Sequence, residues 1–320
     1  MEAGIHNQSS DVLKHKKVLV TGASGFLGKR LCTWLERNSA IVYPSSSRLC
    51  DLRNREETLS YVMELKPDVV FHCAVQGGGI GWMKDHPVES GMDNYRININ
   101  ILEASYLSGA KSFVGISSAC VYPKQGVLPY CETEVWGGYP EPFNGPYALS
   151  KRAMMDVGRA FASQYGFHCV FPILGNLYGP GDHISSERAH VIADLMQRAY
   201  TQKSKQDWKL SVWGTGIAER EFLYVDDAVE GVLATLLGNP GDFFNIGTGI
   251  STPIRELAAS IAGIVDQRLH VVFDGSKPDG QLLKVMDVSK IERVCGWKAK
   301  VSLEEGLRET WAWYAREMEK

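Results

Sequence analysis

The sequence predicts a doubly wound α/β fold: a parallel Rossmann sheet with a second, smaller α/β substrate domain. Three observations carry that expectation. Short apolar runs alternate with helical patterns from Lys17 to Leu174, the runs are apolar throughout, and the first run enters its helix through a glycine-rich turn. Strand–helix alternation calls for parallel strands joined by crossovers. A strand without polar positions fits a sheet covered on both faces.

Lys17-Val18-Leu19-Val20-Thr21 is the first strand, and a helix is expected from Phe26 to Arg37. A strand at Ala40–Tyr43, a helix at Arg55–Leu65 and a strand at Asp68–Cys73 follow. A long helix over Pro87–Ser108, a strand at Ser112–Ile116, a helix at Tyr147–Tyr165 and a strand at His168–Leu174 complete the alternation. After about Leu177 the rhythm changes. The pattern gives a helix near His190–Thr201, a strand at Leu210–Trp213, and a helix from Asp226 with Asp226 and Asp227 as its N-terminal caps. Phe243–Ile246 reads as a strand returning to the main sheet, then a helix at Pro253–Val265, a strand at Leu269–Phe273 and a last helix at Leu303–Glu319. These elements divide into a first domain over residues 1–177, rejoined by about 221–250, and a second over 178–220 and 251–320.

Composition narrows the function class. The chain has 320 residues, enough for one large and one smaller domain. Its formal net charge of -3 argues against a nucleic-acid partner, which favours a basic surplus. Seven cysteines, an odd number with no CxxC pair, read as reduced thiols in a cytoplasmic protein rather than as disulfides or a metal site. No apolar run reaches the roughly 18–20 residues of a membrane helix. The polar N-terminus lacks the apolar core of a signal peptide and reads as a frayed tail.

Gly22, Gly25 and Gly28, with Ser24, Phe26 and Leu27 between them, form a GxxGxxG turn between a strand and a helix. Glycines let the backbone approach a pyrophosphate, and the helix N-terminus offers N–H groups and positive potential. The bland alternative is a structural turn. The second strand runs on through Ser46 and Arg48 with no acid before Asp51. A dinucleotide site that favours NAD places an acid there, so Ser46 and Arg48 favour NADP(H), with NAD the lesser choice. Ala74, at the end of the third long strand, falls on the same edge.

Tyr147 and Lys151 form YxxxK at a helix start, and residues four apart share a face. An ammonium beside a phenol favours the phenolate, so the tyrosine is expected below its ordinary pKa of about 10. Such a phenol exchanges protons with a carbonyl oxygen. Ser118 follows a strand, at the edge where α/β sheets bind ligands, and can bond the same oxygen.

With Ser118-Ala119-Cys120-Val121-Tyr122-Pro123, Asn176-Leu177-Tyr178-Gly179-Pro180, Val212-Trp213-Gly214-Thr215-Gly216, Arg220-Glu221-Phe222-Leu223 and Lys277-Pro278-Asp279-Gly280, the chain resembles the extended short-chain dehydrogenase/reductase superfamily. Within it, the chain is similar to the GDP-L-fucose synthase family over about residues 17–316. Gly78-Gly79-Ile80 and His190-Val191-Ile192 belong to the same resemblance. It implies a GDP-4-keto-6-deoxy-hexose 3,5-epimerase and NADPH-dependent 4-reductase, a GDP-sugar substrate and a homodimer. Ser118, Tyr147 and Lys151 match the reductase triad, with Lys151 also at the cofactor. Cys120 and His190 match the pair that moves protons in epimerisation. Asn176, Val191, Arg198, Trp213, Arg220, Asp279 and Lys284 fall where the family meets its GDP-sugar. Two relatives of this reading stay open: a GDP-sugar epimerase with bound NAD(P) and no net redox change, and a 4-keto reductase of a deoxyheptose or dideoxyhexose. A non-catalytic dinucleotide sensor fits the intact Ser118, Tyr147 and Lys151 less well. The chain departs from the family at Leu174-Gly175 and at Gly181, where the family commonly has Pro-Thr and histidine, and carries Ser24 at a position open to arginine in the family.

Overall fold

The computed structural model describes residues 12–78, 80–182, 190–277 and 279–319. Residues 1–11 of the expected tail, Gly79, His183 and Pro278 lie outside the described residues. In chain order the first elements are β1 (Lys17–Thr21), α1 (Phe26–Arg37), β2 (Ile41–Ser45), α2 (Arg55–Leu65), β3 (Val69–His72), α3 (Ile80–Asp85), α4 (Pro87–Leu107), β4 (Ser112–Gly115) and β5 (Ser117–Ser118). Then come α5 (Gly145–Tyr165), β6 (His168–Leu174), β7 (Asn176–Tyr178), α6 (Val191–Lys205), β8 (Lys209–Trp213), β9 (Glu219–Tyr224), α7 (Val225–Ala234) and β10 (Phe243–Ile246). The chain ends with β11 (Ser251–Pro253), α8 (Ile254–Val265), β12 (His270–Asp274), β13 (Leu283–Lys284), α9 (Ser289–Cys295) and α10 (Leu303–Met318).

The main sheet runs β10-β6-β4-β3-β1-β2, with β5 also on β6, and every pairing in it is parallel. The chain steps from β1 outward to β2 and then back across to β3, so the order reverses beside β1. A crevice opens at the C-terminal ends of strands at such a reversal. The apolar runs explain the layers. In β1, Val18 and Val20 face one way and Leu19 the other. Val18 and Val20 pack with Leu27, Leu31 and Leu35 of α1 and Val225, Ala228 and Val232 of α7. On the opposite face Leu19, Val70 and Phe113 pack with Val62 of α2, Ile97 and Ile101 of α4, and Met154 and Met155 of α5.

The second lobe has its own core, where Ile192, Leu195 and Met196 meet Leu257, Ile261 and Leu307. Its sheet centres on β9, flanked by β7, β11 and β13, with β8 and β12 paired separately. The lobes interleave more than boundaries at 177, 220 and 250 imply. Glu219–Tyr224 lies in the second lobe's sheet, whereas Ile291, Cys295 and Trp297 join the core beneath the main sheet. A stitch also crosses between the lobes: Tyr130 N–H donates to Val285 O (3.0 Å), and Asp287 N–H donates to Tyr130 O (2.9 Å).

The expectation that Asp226 and Asp227 cap a helix is corrected. Tyr224 occupies the N-cap position of α7, and both acids sit inside the first turn. Asp227 Oδ2 accepts from Lys300 N (2.9 Å) and Val301 N (2.8 Å), and Asp226 pairs with Arg30 at 3.5 Å. The turn's acids therefore tie down other segments while still complementing the helix dipole. β5, β7, β11 and β13 hold only two or three residues each, too few for a period to register in the sequence.

Candidate active site

The glycine turn leaves the C-terminal end of β1. Gly22 takes φ +66°, and a Cβ there would lie 2.7 Å from the backbone of Ala74. Ala23 N–H donates to Ser45 O (3.0 Å), and Ala74 N–H donates to Thr21 Oγ1 (3.3 Å), so the turns after β1, β2 and β3 sit side by side. Gly25 at the N-cap of α1 has no side chain to satisfy the first N–H groups, and no acid lies in the first turn. That end is an anion cradle with its donors free of side-chain caps. Leu27 is buried in the core, with Phe26 packed against it, whereas Ser24 is exposed. Ser46 O accepts from Leu49 N and Cys50 N, which folds the loop after β2 and leaves Arg48 exposed. The residues present fit a dinucleotide: a close-approach turn, uncapped N–H donors and an exposed arginine on the loop after β2.

The ends of β5 and α5 build the next part. Ser118 is the N-cap of a single 3₁₀ turn, Ala119–Val121, and its Oγ accepts from Cys120 N at 3.3 Å. Ser118 and Cys120 are half-buried. The buried Arg152 of α5 clamps this turn, donating from Nε to Val121 O (2.8 Å) and from Nη1 to Gly138 O (2.7 Å). Tyr147 and Lys151, one turn apart on α5, are both buried. Burial pushes the Tyr147 phenol above its ordinary value, and any negative charge on the Cys120 sulfur nearby adds to this. The expected depression by Lys151 is thus corrected, because desolvation of the phenol dominates. Burial pulls the Lys151 ammonium down to about 8, opposed weakly by Cys73.

A buried chain of polar groups reaches Lys151 from β1. Thr21 Oγ1 lies 2.7 Å from His72 Nδ1, His72 Nε2 lies 2.9 Å from Asn98 Oδ1, and Lys151 Nζ donates to the same Oδ1 at 3.4 Å. An amide oxygen only accepts, so Nε2 carries the histidine proton and Thr21 donates to Nδ1. Burial, with the Lys151 charge, pushes His72 down to about 3, which keeps the ring neutral. The sequence reading missed His72, Asn98 and Arg152. The signals were a histidine ending an apolar strand, and Asn94 and Asn98 four apart on the buried face of α4.

His190 is the N-cap residue of α6, and its Nδ1 lies 3.3 Å from both carboxylate oxygens of Asp182. Val191 opens the same helix and is half-buried. Asn176 Nδ2 donates to Glu221 O (2.8 Å), and Lys284 lies opposite Arg220 in the β13–β9 pairing. Arg220 is not paired with its acidic neighbours' carboxylates: its Nη1 donates to Glu219 O (2.8 Å) and Gln281 O (2.6 Å). Arg198 spans Ser211 O and Asp194 Oδ2, both at 2.5 Å. Asp279 accepts from Thr215 N (2.7 Å) and Thr215 Oγ1 (2.8 Å), which orders the turn behind Trp213, a ring 72% exposed. Ser118, Cys120, Tyr147 and Lys151 thus share one sheet edge with the cofactor turn, while the remaining residues line the second lobe on separate contacts. Among the described residues no group of three or more His, Cys, Asp or Glu is placed to hold a metal ion.

A model of the NAD dependent epimerase/dehydratase family matches residues 18–247. The chain is 34% identical over 305 residues to a probable GDP-L-fucose synthase 1 of Oryza sativa subsp. japonica, covering 94% of this chain and 92% of that protein. It is 31% identical to the GDP-L-fucose synthase of Escherichia coli K12, covering 94% and 97%. Among solved structures, the GDP-mannoheptose C4 reductase from Campylobacter jejuni with NADP bound aligns at TM-score 0.86 and 26% identity, over 94% of this chain and 98% of that one. A GDP-L-fucose synthetase from Naegleria fowleri bound to NADP aligns at 0.85 and 27%, over 96% of each.

Proposed function

The chain belongs to the NAD dependent epimerase/dehydratase family, and on that premise we propose that it is a GDP-sugar 3,5-epimerase and NADPH-dependent 4-reductase. The proposed substrate is a GDP-4-keto-6-deoxyhexose and the product GDP-L-fucose or a close relative, in keeping with the names its relatives carry. One observation carries the reading: Ser118, Cys120, Tyr147 and Lys151 gather at the sheet edge beside an uncapped glycine turn.

Bound at that turn, NADPH supplies the hydride for C4. Gly22, Ser24, Gly25, Phe26, Leu27 and Gly28 would form the turn that holds the cofactor, Ser46 and Arg48 would suit its 2′-phosphate, and Ala74 and Lys151 would complete the set. Tyr147, kept protonated by burial, gives its proton to the C4 oxygen while the Ser118 hydroxyl donates to the same atom. The Lys151 ammonium, one turn along, stabilises the phenolate left behind. A 4-keto group acidifies the hydrogens at C3 and C5, and Cys120 and His190 remove and return them from opposite faces. Asn176, Val191, Arg198, Trp213, Arg220, Asp279 and Lys284 hold the GDP-sugar, with the Arg220 and Lys284 cations on neighbouring strands.

The test is incubation with NADPH and GDP-4-keto-6-deoxymannose in deuterated water. Stoichiometric NADPH consumption, deuterium at C3 and C5, and the L-fuco configuration by NMR are expected. Reduction without deuterium would leave a plain 4-reductase, as the heptose reductase neighbour is named. Deuterium without NADPH consumption would leave a redox-neutral epimerase.

The assembly is a proposed homodimer. Val88, Met92 and Tyr95 form an exposed apolar stripe at helical spacing on α4, the face that α5 does not cover. No described helix is long and apolar enough to cross a membrane, and the proposed location is the cytoplasm.

A further inference from the structure

His190 sits at an unfavourable place for a cation. It is the N-cap residue of α6, where the helix end carries partial positive charge and disfavours an imidazolium. The N-terminal end of a helix can hold a histidine neutral for this reason. Among the described residues one group works the other way. The turn after β7 runs Gly179-Pro180-Gly181, with Gly181 at φ +96°, a conformation that side chains rarely adopt. This accounts for glycine at that position, and Asp182 follows it with its side chain turned inward. The Asp182 side chain is only 3% exposed, against 54% for His190, and both its oxygens lie 3.3 Å from Nδ1. Asp194 and Arg198, further along α6, close on each other and not on the ring.

We propose that Asp182 is the positioning residue for His190: its carboxylate fixes a proton on Nδ1, so that Nε2 is the nitrogen offered to the sugar. This rests on the reading of His190 as a proton carrier in epimerisation. An ionised carboxylate only accepts, so Nδ1 must donate. The carboxylate also outweighs the helix end, because the ring's pKa is raised and the hydrogen bond to Asp182 is the largest cause. The pair therefore favours the protonated ring more than a free imidazole would. Asp182 touches the imidazole and not the reacting carbon.

The proposal separates from a plain staple between two turns through tautomer and pH. In the wild-type protein, ¹⁵N NMR of the histidine rings, with His190 assigned by H190Q, should show the neutral ring protonated on Nδ1. A predominant Nε2–H tautomer would overturn the proposal, and this measurement needs no substitution at Asp182. In Asp182→Asn, deuterium exchange at C3 and C5 of GDP-4-keto-6-deoxymannose should fall at least tenfold near pH 7. The high-pH limb of its profile should move to lower pH, and Asp182→Glu should return the limb toward wild type. Exchange and limb unchanged in Asp182→Asn would sink the inference. If His190→Gln itself exchanged like wild type, the proton-carrier reading would be what failed.

Discussion

Tyr147 and Lys151 lie one turn apart, and burial acts on both in the direction of the uncharged form. For the tyrosine this suits the proposed reduction, in which a neutral phenol is the acid that a C4 oxygen would need. Tyr147→Phe should abolish NADPH oxidation while deuterium exchange at C3 and C5 continues; loss of exchange with reduction intact would reverse the roles. For the lysine, burial is a cost. Its folded pKa of about 8 lies below the ordinary 10.5. The deficit is therefore fully present below pH 8 and shrinks as pH rises from 8 to 10.5. Lys151→Met should abolish reduction yet raise stability at pH 7, on the order of 1–3 kcal/mol. The gain should vanish near pH 10.5 in urea melts. A variant less stable than wild type at pH 7 would contradict the burial argument. The contacts that set these states were hidden in the sequence, because they join distant positions: His72 to Asn98 across 26 residues, and Lys151 to Asn98 across 53.

Each long element was legible because its period repeats over several turns or fills a whole buried strand. α2 and β6 fall where the pattern places them, and α4 and α5 differ from it by one or two residues. Elements of two or three residues, such as β5 and β7, escaped because pairing with a neighbour, not a local pattern, makes them strands. The glycine turn is the element on which the cofactor reading depends. Gly22→Ala must hold a Cβ at φ +66° and 2.7 Å from Ala74. We expect about 1–3 kcal/mol of lost stability and markedly weaker NADPH binding, read by thermal melts and by fluorescence titration. Unchanged binding would show that the turn tolerates a side chain and is not a close-approach cradle.

For the whole molecule, the exposed stripe Val88, Met92 and Tyr95 is the feature a monomer leaves without a partner. Met92→Glu places a charge in it without touching the core or the sheet edge. Light scattering on the eluting protein should show a dimer for wild type and a shift toward monomer for Met92→Glu, with the fold retained by circular dichroism. A wild-type monomer at micromolar concentration would rule out this assembly. The interleaving of lobes also belongs to this scale. Tyr130, in the loop beyond the Cys120 turn, is bonded to residues 285 and 287 beside Lys284, so the strand that carries Lys284 and the loop after the Cys120 turn share one stitch.

By itself the sequence determined the α/β class, and it marked the glycine turn and the proposed Ser118, Tyr147 and Lys151 set. All three depend on spacing along the chain, which local backbone geometry converts directly into a shared face or edge. Tertiary structure alone decided the protonation of Tyr147, Lys151 and His72, the clamp of Arg152 on the Cys120 turn, and the approach of Asp182 to His190. Those depend on how completely water is excluded and on which distant groups fold into hydrogen-bond range. Neither quantity is written in residue spacing.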